Sequence, residues 1–448
     1  MNESSETTIE TRSATGTEPK ASTDLVRKVT IAASIGTFIE AFDLVAYGTL
    51  AAVLSQVFFP GSDGTASLLA TFATFALAFV ARPLGGLFWG PIGDRIGRKR
   101  TLVINIVIMT GATALIGIIP SHATIGLWAP GLLILLRFFQ GISAAGEIPG
   151  AAIFVGEYSP KHRRARQTSA LNSVIAAAEL TALLVATLLL STLSASEMLS
   201  WGWRIPFLVA APIGAVGLYI RYRLEETPVF EQVQENGLKT PHPLKAVVGT
   251  RRGWKLIGRA TLFNLPVLVP GYLLLTFMPS YLTGSAGLSK GTSVLLSSIA
   301  AIVMIIMVVM GGRLSDRIGR RQLLLAVAIA EFATAYPAFA LIQAGGYVLP
   351  AIGLVLMAAP FGLARGGQLA AVVETFPTEI RFTGFALSLG LAVALIGGPT
   401  PFIATWLVSV TGSYFAPAWF LMAVVTPSMI GAFFLREPRG RCGVSLEP

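Results

Sequence analysis

Long apolar runs, separated by short polar segments, recur along almost the whole chain. Twelve runs approach or exceed the roughly 20 residues of helix that cross a bilayer. Their apolar positions do not keep to one helical face, as expected of helices surrounded by lipid or by other helices. The pattern predicts an all-α membrane protein with twelve transmembrane helices. The predicted spans are 31–54, 66–90, 102–120, 126–156, 168–194, 204–223, 256–282, 292–312, 322–343, 347–374, 383–410 and 415–435.

Polar segments divide these runs into two sets of six. The N-terminal segment is rich in Ser, Thr and Glu and lacks an apolar core, which predicts a disordered cytoplasmic tail and not a cleaved signal peptide. The central polar segment joins the two halves, and its 225–237 part is compatible with a short surface helix. The predicted units are a tail over 1–25, a six-helix bundle over 26–223, a cytoplasmic linker over 224–255, a second six-helix bundle over 256–435 and a short cytoplasmic tail over 436–448.

Composition and charge agree with a membrane protein. Hydrophobic residues make up 54% and charged residues only 12% of the chain, whereas soluble domains carry about 25% charged residues. The net charge of +10 suggests nucleic-acid binding, but 28 of the 33 Lys and Arg lie on one side of the predicted helices. Since basic loops stay in the cytoplasm, both termini are predicted to be cytoplasmic and the protein to be a multi-pass protein of the inner membrane.

Two short motifs occur once in each half. The string at 90–100, GPIGDRIGRKR, returns at 312–321 as GRLSDRIGRR, and each copy lies between long apolar runs. A second motif, Glu-x-x-Pro-x-x-x-Arg, follows spans 4 and 10. Such duplication indicates two homologous halves, the arrangement of many secondary transporters. The matched residues predicted to form a gate are Gly93, Asp94, Arg95, Gly97, Arg98, Glu157, Arg164, Asp316, Arg317, Gly319, Arg320, Glu374 and Arg381.

The gate interpretation depends on the acidic and glycine positions. An Asp near a helix end can pair with Arg or with the N-terminus of another helix, and glycines allow tight turns. Positive-inside anchoring alone would explain the basic residues of these motifs but not the paired Asp and Gly.

Over about 25–440 the chain resembles the major facilitator superfamily, and within it the metabolite:proton symporters of shikimate, oxoglutarate, citrate, proline and betaine. The resemblance rests on these strings: Glu40-Ala-Phe-Asp43, Arg82-Pro-Leu-Gly-Gly86, Gly93-Asp-Arg-Ile-Gly-Arg-Lys99, Arg137-Phe-Phe-Gln-Gly141, Trp203-Arg-Ile-Pro-Phe207 and Phe376-Pro-Thr378 with Arg381-Phe-Thr-Gly384. It implies a role in proton coupling for Asp43 and Arg137, and positive charge for an anionic substrate at Arg82 and Arg204.

Charged residues inside the spans are the candidates for proton coupling and substrate binding, because a charge in the bilayer normally faces a cavity or a partner. Glu40 and Asp43 are three residues apart on one helix face, where two close carboxylates favour protonation of one of them. They are predicted to couple transport to protons, the alternative being ion pairs that only lock helices together. Arg137 shares a face with Gln140 and could hold a substrate carboxylate, or could be a structural Arg bound by carbonyls and a Glu.

Further candidates lie in both halves. Arg365 lies among small residues and close to Gln368, and it could bind a substrate carboxylate, snorkel to the membrane surface or pair with Glu331. Glu179 could face the cavity or bind an Arg elsewhere. Arg204 beside Trp203 is alternatively an interfacial anchor. The predicted substrate-binding residues are Arg82, Arg204, Arg365, Gln140, Asn264 and Gln368.

The predicted function is import of a small organic acid by proton symport and alternating access, with the substrate, protons and the lipid bilayer as partners. No metal spacing, P-loop, cofactor motif or enzyme constellation is visible in the sequence, and neither nucleic acid nor an obligatory protein partner is expected. The alternatives are uptake of a zwitterionic osmolyte such as proline or betaine, which the short C-terminal tail disfavours, efflux of drug-like compounds, and a metabolite sensor.

Overall fold

The part of the chain that the structure describes is almost entirely helical, with short turns between the helices. The computed structural model describes residues 23–61, 64–223, 226, 231, 242–284 and 286–434. Twelve helices in these ranges are long and apolar enough to span a membrane, which confirms the predicted fold class. We label them α1 (Thr23–Thr49), α2 (Gly64–Ile96), α3 (Arg98–Ile118), α4 (Trp128–Tyr158), α5 (Arg164–Thr192), α6 (Ile205–Tyr222), α7 (Arg251–Tyr272), α8 (Lys290–Ile318), α9 (Arg320–Gln343), α10 (Val348–Thr375), α11 (Arg381–Ala392) and α12 (Ala416–Phe434).

Two of these helices continue through a wider turn. After α7 the chain makes a π-helical segment, Leu273–Phe277, and a final helix, Met278–Gly284. After α11 it makes a second π-helical segment, Val393–Gly397, and the helix Thr400–Thr411. Such π-turns inside helices are frequent at functional sites, and both segments contribute residues to the central cavity described below.

The predicted basic loops prove to be helix ends. Asp94 and Arg95 still belong to α2, α3 begins at Arg98, and only Gly97 separates the two helices. Gly319 separates α8 from α9 in the same way. With φ of 104° and 96°, Gly97 and Gly319 adopt backbone conformations that side chains disfavour.

The other helix boundaries differ from the predicted spans by several residues. The first predicted span, 31–54, is divided between α1 and a short helix, Ala51–Phe58. The end of the predicted linker is helical, over Pro243–Val248 and the first turn of α7. The predicted tails, apart from the start of α1, and most of the predicted surface helix lie outside the described residues.

The helices form two bundles of six that meet along matching seams. In the first half α2 packs on α4 and α1 on α5, and in the second half α8 packs on α10. Contacts between the halves run mainly through α2 with α11 and α5 with α8. Since α2 corresponds to α8 and α5 to α11, these two contacts are equivalent to each other, and residues of both halves line a cavity in the middle of the molecule.

Candidate functional site

The space between the halves is a cavity of about 140 Å³. Residues of α1, α2, α4 and α5 line it from one half, and residues of α7, α10 and α11 from the other. Four of the lining side chains are charged in their ordinary states: Glu40, Arg82, Glu179 and Arg365. Two carboxylates therefore face two guanidinium groups, and each carboxylate is ion-paired to one guanidinium.

The first pair joins α1 to α2. Nη2 of Arg82 donates to Oε1 of Glu40 at 2.7 Å, and both residues are almost fully buried. The guanidinium also lies 5.1 Å from the centre of the Phe79 ring. Within the described part of the chain, Oε2 of Glu40 has no hydrogen-bond partner. Glu40 thus offers a free carboxylate oxygen at the wall of the cavity.

A second pair lies one helical turn along α1. Nη1 of Arg137 donates to Oδ2 of Asp43 at 2.6 Å, and the side chains have no exposure to solvent. The Arg137 guanidinium stacks 3.8 Å from the centre of the Tyr47 ring. Neither Asp43 nor Arg137 lines the cavity. The predicted coupling residues are therefore brought together, with Glu40 towards the cavity and Asp43 within the first bundle.

The third pair crosses from one half to the other. Nη1 and Nη2 of Arg365 donate to the two carboxylate oxygens of Glu179, both at 2.9 Å. The predicted alternative that Arg365 pairs with Glu331 is wrong, because Glu179 occupies the guanidinium. Glu331 is buried in α9, and its carboxylate oxygens have no hydrogen-bond partner among the residues that the structure describes.

Polar side chains complete the cavity on the α5, α7 and α10 sides. Nδ2 of Asn172 donates to the carbonyl of Arg365 at 2.6 Å, which is a second link between the halves. Gln368 lines the cavity and donates to Oδ1 of Asn264, which lies just behind the wall. Tyr272 lines the same cavity.

Two predicted substrate ligands lie away from the cavity. Gln140 is buried and donates to Thr113 at 2.7 Å, between α4 and α3. Arg204 donates to the carbonyls of Gly117 and Ile119 at 2.9 and 2.7 Å, at the outer end of α3. Its guanidinium also lies 4.4 Å from the Trp203 ring. These contacts are those of an interfacial anchor.

The first copy of the duplicated motif, which holds Asp94, binds the beginning of α11. Asp94 accepts hydrogen bonds from the backbone N–H groups of Phe382 and Thr383, at 3.2 and 3.0 Å. Arg98 contacts Asp94 at 3.4 Å and donates to the carbonyl of Thr378 in the other half. A carboxylate that binds the N-terminal N–H groups of a helix also interacts favourably with the helix dipole.

The second copy of the motif makes the same contact in the opposite direction. Asp316 accepts from the backbone N–H groups of Ala165 and Arg166, at 3.1 and 2.8 Å, at the start of α5. Arg320 pairs with Asp316 at 2.9 Å. The neighbouring Arg95 and Arg317 are exposed. Each half therefore inserts an aspartate into a helix N-terminus of its partner half.

The Glu-x-x-Pro motifs make crossed ion pairs between these two contacts. Glu157 of the first half pairs with Arg381 of the second at 2.8 Å. Glu374 of the second half pairs with Arg164 of the first at 3.4 Å and with Arg320 at 3.1 Å. Four acidic side chains, Asp94, Asp316, Glu157 and Glu374, thus contact the opposite half at the basic end of the molecule, in addition to the Arg98 hydrogen bond to Thr378. Because basic loops predict the cytoplasmic side, we refer to the contacts of these four acidic side chains as the cytoplasmic seal.

From its sequence position Glu179 could face the cavity or bind an Arg elsewhere, and it does both. Asn172 and Tyr272 were not among the predicted substrate-binding residues. The available signal was a single acidic residue within span 5 and a single basic residue within span 10. Such complementary charges in spans of opposite halves are reasonable candidates for an ion pair. The pairing itself depends on helix rotation, which apolar helices do not reveal from their sequence.

Comparison with known proteins gives a consistent result. Residues 33–399 match the sequence profile described as Major Facilitator Superfamily. The chain is 39% identical over 423 residues to a proline/betaine transporter of Salmonella typhimurium, covering 93% of this chain and 84% of the relative. It is 32% identical over 403 residues to a citrate-proton symporter of Klebsiella pneumoniae, covering 89% of each chain. Among solved structures it resembles the proton:xylose symporter XylE, with a TM-score of 0.74 at 17% identity, over 91% of this chain and 94% of that one.

Proposed function

Since the chain belongs to the Major Facilitator Superfamily, we propose that it is a proton-coupled symporter that imports a small carboxylate-bearing metabolite across the inner membrane by alternating access. The observation that carries this proposal is the row of two carboxylate–guanidinium pairs on α1, of which Glu40–Arg82 forms part of the cavity wall. The proposed proton-coupling residues are Glu40, Asp43 and Arg137, and the proposed substrate ligands are Arg82 and Arg365.

Coupling follows from competition for Arg82. In the empty carrier the guanidinium is occupied by Glu40. When a proton neutralises Glu40, Arg82 keeps its charge and becomes available to a substrate carboxylate, since Arg stays protonated and binds carboxylates well. Substrate binding must then favour proton binding to the same extent, because linkage between two sites is reciprocal. The buried Asp43–Arg137 pair links α1 to α4 one helical turn away from this site.

Alternating access requires that the cytoplasmic seal open and close. Its four contacts all join one half to the other, so rocking of the halves must break them together. The carboxylates of Asp94, Glu157 and Glu374 are almost fully buried in this closed arrangement. Opening would return them to water, and this hydration offsets part of the lost pairing energy. We propose that Asp94, Asp316, Glu157 and Glu374 form the gate of this transporter, with Gly97 and Gly319 as the turns that position it.

Two substrate classes satisfy the need for a carboxylate. The relatives named as proline/betaine transporters suggest a zwitterionic solute, and those named as citrate-proton symporters suggest an organic acid. The charge balance of the cavity favours the zwitterion, because two carboxylates already offset the two guanidinium groups. The organic acid is the second candidate, favoured by the single positive charge that remains after Glu40 is protonated.

The test is uptake into proteoliposomes with an imposed inward proton gradient. Labelled betaine, proline, citrate, oxoglutarate and shikimate are compared in the parent protein and in Glu40→Gln, Asp43→Asn and Arg82→Ala. Accumulation that needs the gradient, collapses with an uncoupler and is lost in all three variants supports the proposal. Binding of a probe without accumulation would indicate a sensor, and gradient-driven export would indicate efflux, and either result would overturn it.

A further inference from the structure

The ion pair between Glu179 and Arg365 has no assigned role in the coupling scheme, although it crosses the cavity. Glu179 belongs to α5 of the first half and Arg365 to α10 of the second. Both carboxylate oxygens are engaged, and in the described part of the chain all hydrogen bonds to the Glu179 carboxylate come from Arg365. The side chains keep 12% and 8% exposure, so both remain reachable from the cavity.

We propose that Glu179 is the subsite for a cationic group on the substrate, and that Arg365 occupies this subsite in the empty carrier. This inference rests on the proposed function and selects between its two substrate classes. A substrate carboxylate bound between Arg82 and Arg365 draws Arg365 away from Glu179. The substrate's own ammonium group then takes the place of Arg365 at Glu179.

Charge compensation is the reason for this assignment. A simple carboxylic acid that took Arg365 would leave Glu179 as a charged group in a largely desolvated site without a partner, which is strongly unfavourable. A zwitterion leaves neither residue unpaired, because each pole of the substrate replaces one partner of the internal pair. The cavity therefore discriminates by its acidic residue as much as by its basic ones.

The walls beside the pair also suit a cation. The Arg365 guanidinium lies 5.7 Å from the centre of the Phe361 ring, and Tyr272 and Phe75 line the same cavity. Aromatic faces attract Arg and quaternary ammonium groups alike. A substrate ammonium group that replaces Arg365 at Glu179 therefore meets an aromatic surface beside a carboxylate.

The pair would also allow the empty carrier to return. A symporter must reorient without substrate, and separated charges in the cavity would oppose the closure that this step needs. With Arg365 on Glu179 and Arg82 on Glu40, every charge of the empty cavity is compensated. The internal pair therefore takes the place of the substrate, and the Asn172 hydrogen bond to the Arg365 carbonyl keeps α5 and α10 together meanwhile.

The experiment compares two ligands that differ only in charge. Glycine betaine carries a trimethylammonium group, and 3,3-dimethylbutanoate carries a tert-butyl group of the same shape on the same carboxylate. Equilibrium binding of both is measured on the detergent-purified parent protein and on Glu179→Gln. The matched control is Glu331→Gln, which removes a buried carboxyl that does not line the cavity.

We expect the parent to prefer betaine by at least about 10-fold, because a site built around a polar contact rejects the analogue that lacks it. Glu179→Gln should reduce this preference by about 10-fold or more, and Glu331→Gln should leave it unchanged. A merely structural Glu179 would weaken both ligands equally and leave the ratio intact, which would overturn the assignment.

The parent protein alone also decides the matter if Glu179→Gln does not fold. A parent that binds dimethylbutanoate as tightly as betaine contradicts the cationic subsite. A parent that accumulates citrate or dimethylbutanoate in a proton gradient, but neither betaine nor proline, overturns this inference and leaves proton symport standing. Failure of the proposed function is recognised separately, as betaine binding with the expected preference but without gradient-driven accumulation.

Discussion

The carboxylate of Asp94 accepts hydrogen bonds from both the backbone N–H and the hydroxyl of Thr383, at 3.0 and 2.7 Å, although the two residues belong to different halves. Asp94 lies in the last turn of α2 and Thr383 in the first turn of α11, so one side chain attaches the basic end of the first half to the second. The duplicate motif places Asp316 on α5 in the reciprocal manner. At the basic end of the molecule the two halves are therefore joined by two equivalent helix caps, Asp94 on α11 and Asp316 on α5.

Removing one of these caps should shift the carrier towards a state that is open to the cytoplasm. Asp94→Ala deletes the acceptor of three hydrogen bonds, and loss of a helix cap costs about 1 kcal/mol. A cost of that size changes a two-state population several-fold. Spin labels at Lys161→Cys and Arg313→Cys, in a Cys442→Ser background, should show longer distances across the seam.

The control for this measurement is an acidic cap on the other side of the membrane. Ser194 caps the short helix Ala195–Ser200, and the exposed Glu197 completes this capping box by accepting from the Ser194 backbone N–H. Glu197→Gln should leave the distance distribution between the two labels unchanged. Equal distributions for Asp94→Ala and the parent would show that the Asp94 contacts do not hold the seal.

The crossed ion pair between Glu157 and Arg381 should act together with these caps. The atoms are 2.8 Å apart, Glu157 is almost fully buried, and Arg381 is partly exposed. Glu157→Gln and Arg381→Gln should each shift the population towards the open state. The shift in the double variant should be smaller than the sum of the two single shifts. The coupling is expected within about 0.5–3 kcal/mol, the range for residues in direct contact. The spin-label distances give the populations of the open and closed states, from which this coupling free energy is calculated. If the effects of the two single variants simply add in the double variant, Glu157 and Arg381 do not stabilise the closed state as a pair.

The fold was largely predictable from sequence because it depends on length and repetition. Apolar runs of sufficient length give helices regardless of their detailed composition, and the duplicated motifs gave the two halves. The glycines indicated tight turns, but the polar string around Gly97 looks like a longer loop when read as composition. Its glycine instead allows α2 and α3 to follow each other directly.

The site was predictable in its residue types but not in its partners. Glu40, Asp43, Arg82 and Arg137 stand out as charges inside apolar runs, and the structure brings all of them into pairs. Arg365 stood out equally, yet its partner Glu179 lies 186 residues earlier in the other half. Only the rotation and mutual position of α5 and α10 select that partner over Glu331, and neither property is encoded in a local pattern.

Neutralising Glu40 should separate substrate binding from protons. In the parent, substrate affinity should rise as pH falls, because a protonated Glu40 no longer occupies Arg82. Glu40→Gln permanently mimics the protonated form, so affinity should be high and independent of pH. Accumulation against a gradient should be lost, while downhill exchange of labelled for unlabelled substrate continues. Binding of labelled betaine or citrate between pH 5.5 and 8.5, with proteoliposome uptake in parallel, measures both effects.

A comparison with Arg82→Gln makes this test specific. That variant keeps Glu40 titratable but removes the group for which the substrate competes, and it should lose affinity at every pH. If Glu40→Gln retained the parent's pH dependence, the titrating group would have to lie elsewhere, and Asp43 would be the first residue to examine.

Arg204 should matter for stability and not for substrate affinity. Its guanidinium binds two backbone carbonyls at the outer end of α3 and does not line the cavity. Because the side chain is partly solvated, Arg204→Gln should cost only about 1 kcal/mol. The expected result is a slightly lower thermal midpoint with an unchanged dissociation constant. A tenfold weaker substrate affinity in a folded Arg204→Gln protein would instead place this residue in the substrate pathway.

The ion pair between Glu147 and Arg221 should be the most sensitive point of the first bundle. Arg221 donates to both oxygens of Glu147 and to the carbonyls of Ala32, Ala33 and Leu102. Removing one member of a buried pair costs about 3–5 kcal/mol, because the remaining charge is left uncompensated. Arg221→Gln should be the worse of the two single changes, since it strands Glu147 and also leaves those carbonyls unsatisfied. Glu147→Gln leaves Arg221 with its carbonyl partners, and the double variant should be less destabilised than the sum of the single changes. Thermal midpoints in detergent rank the three variants, and a Glu147→Gln protein less stable than Arg221→Gln would show that the carbonyl contacts contribute little.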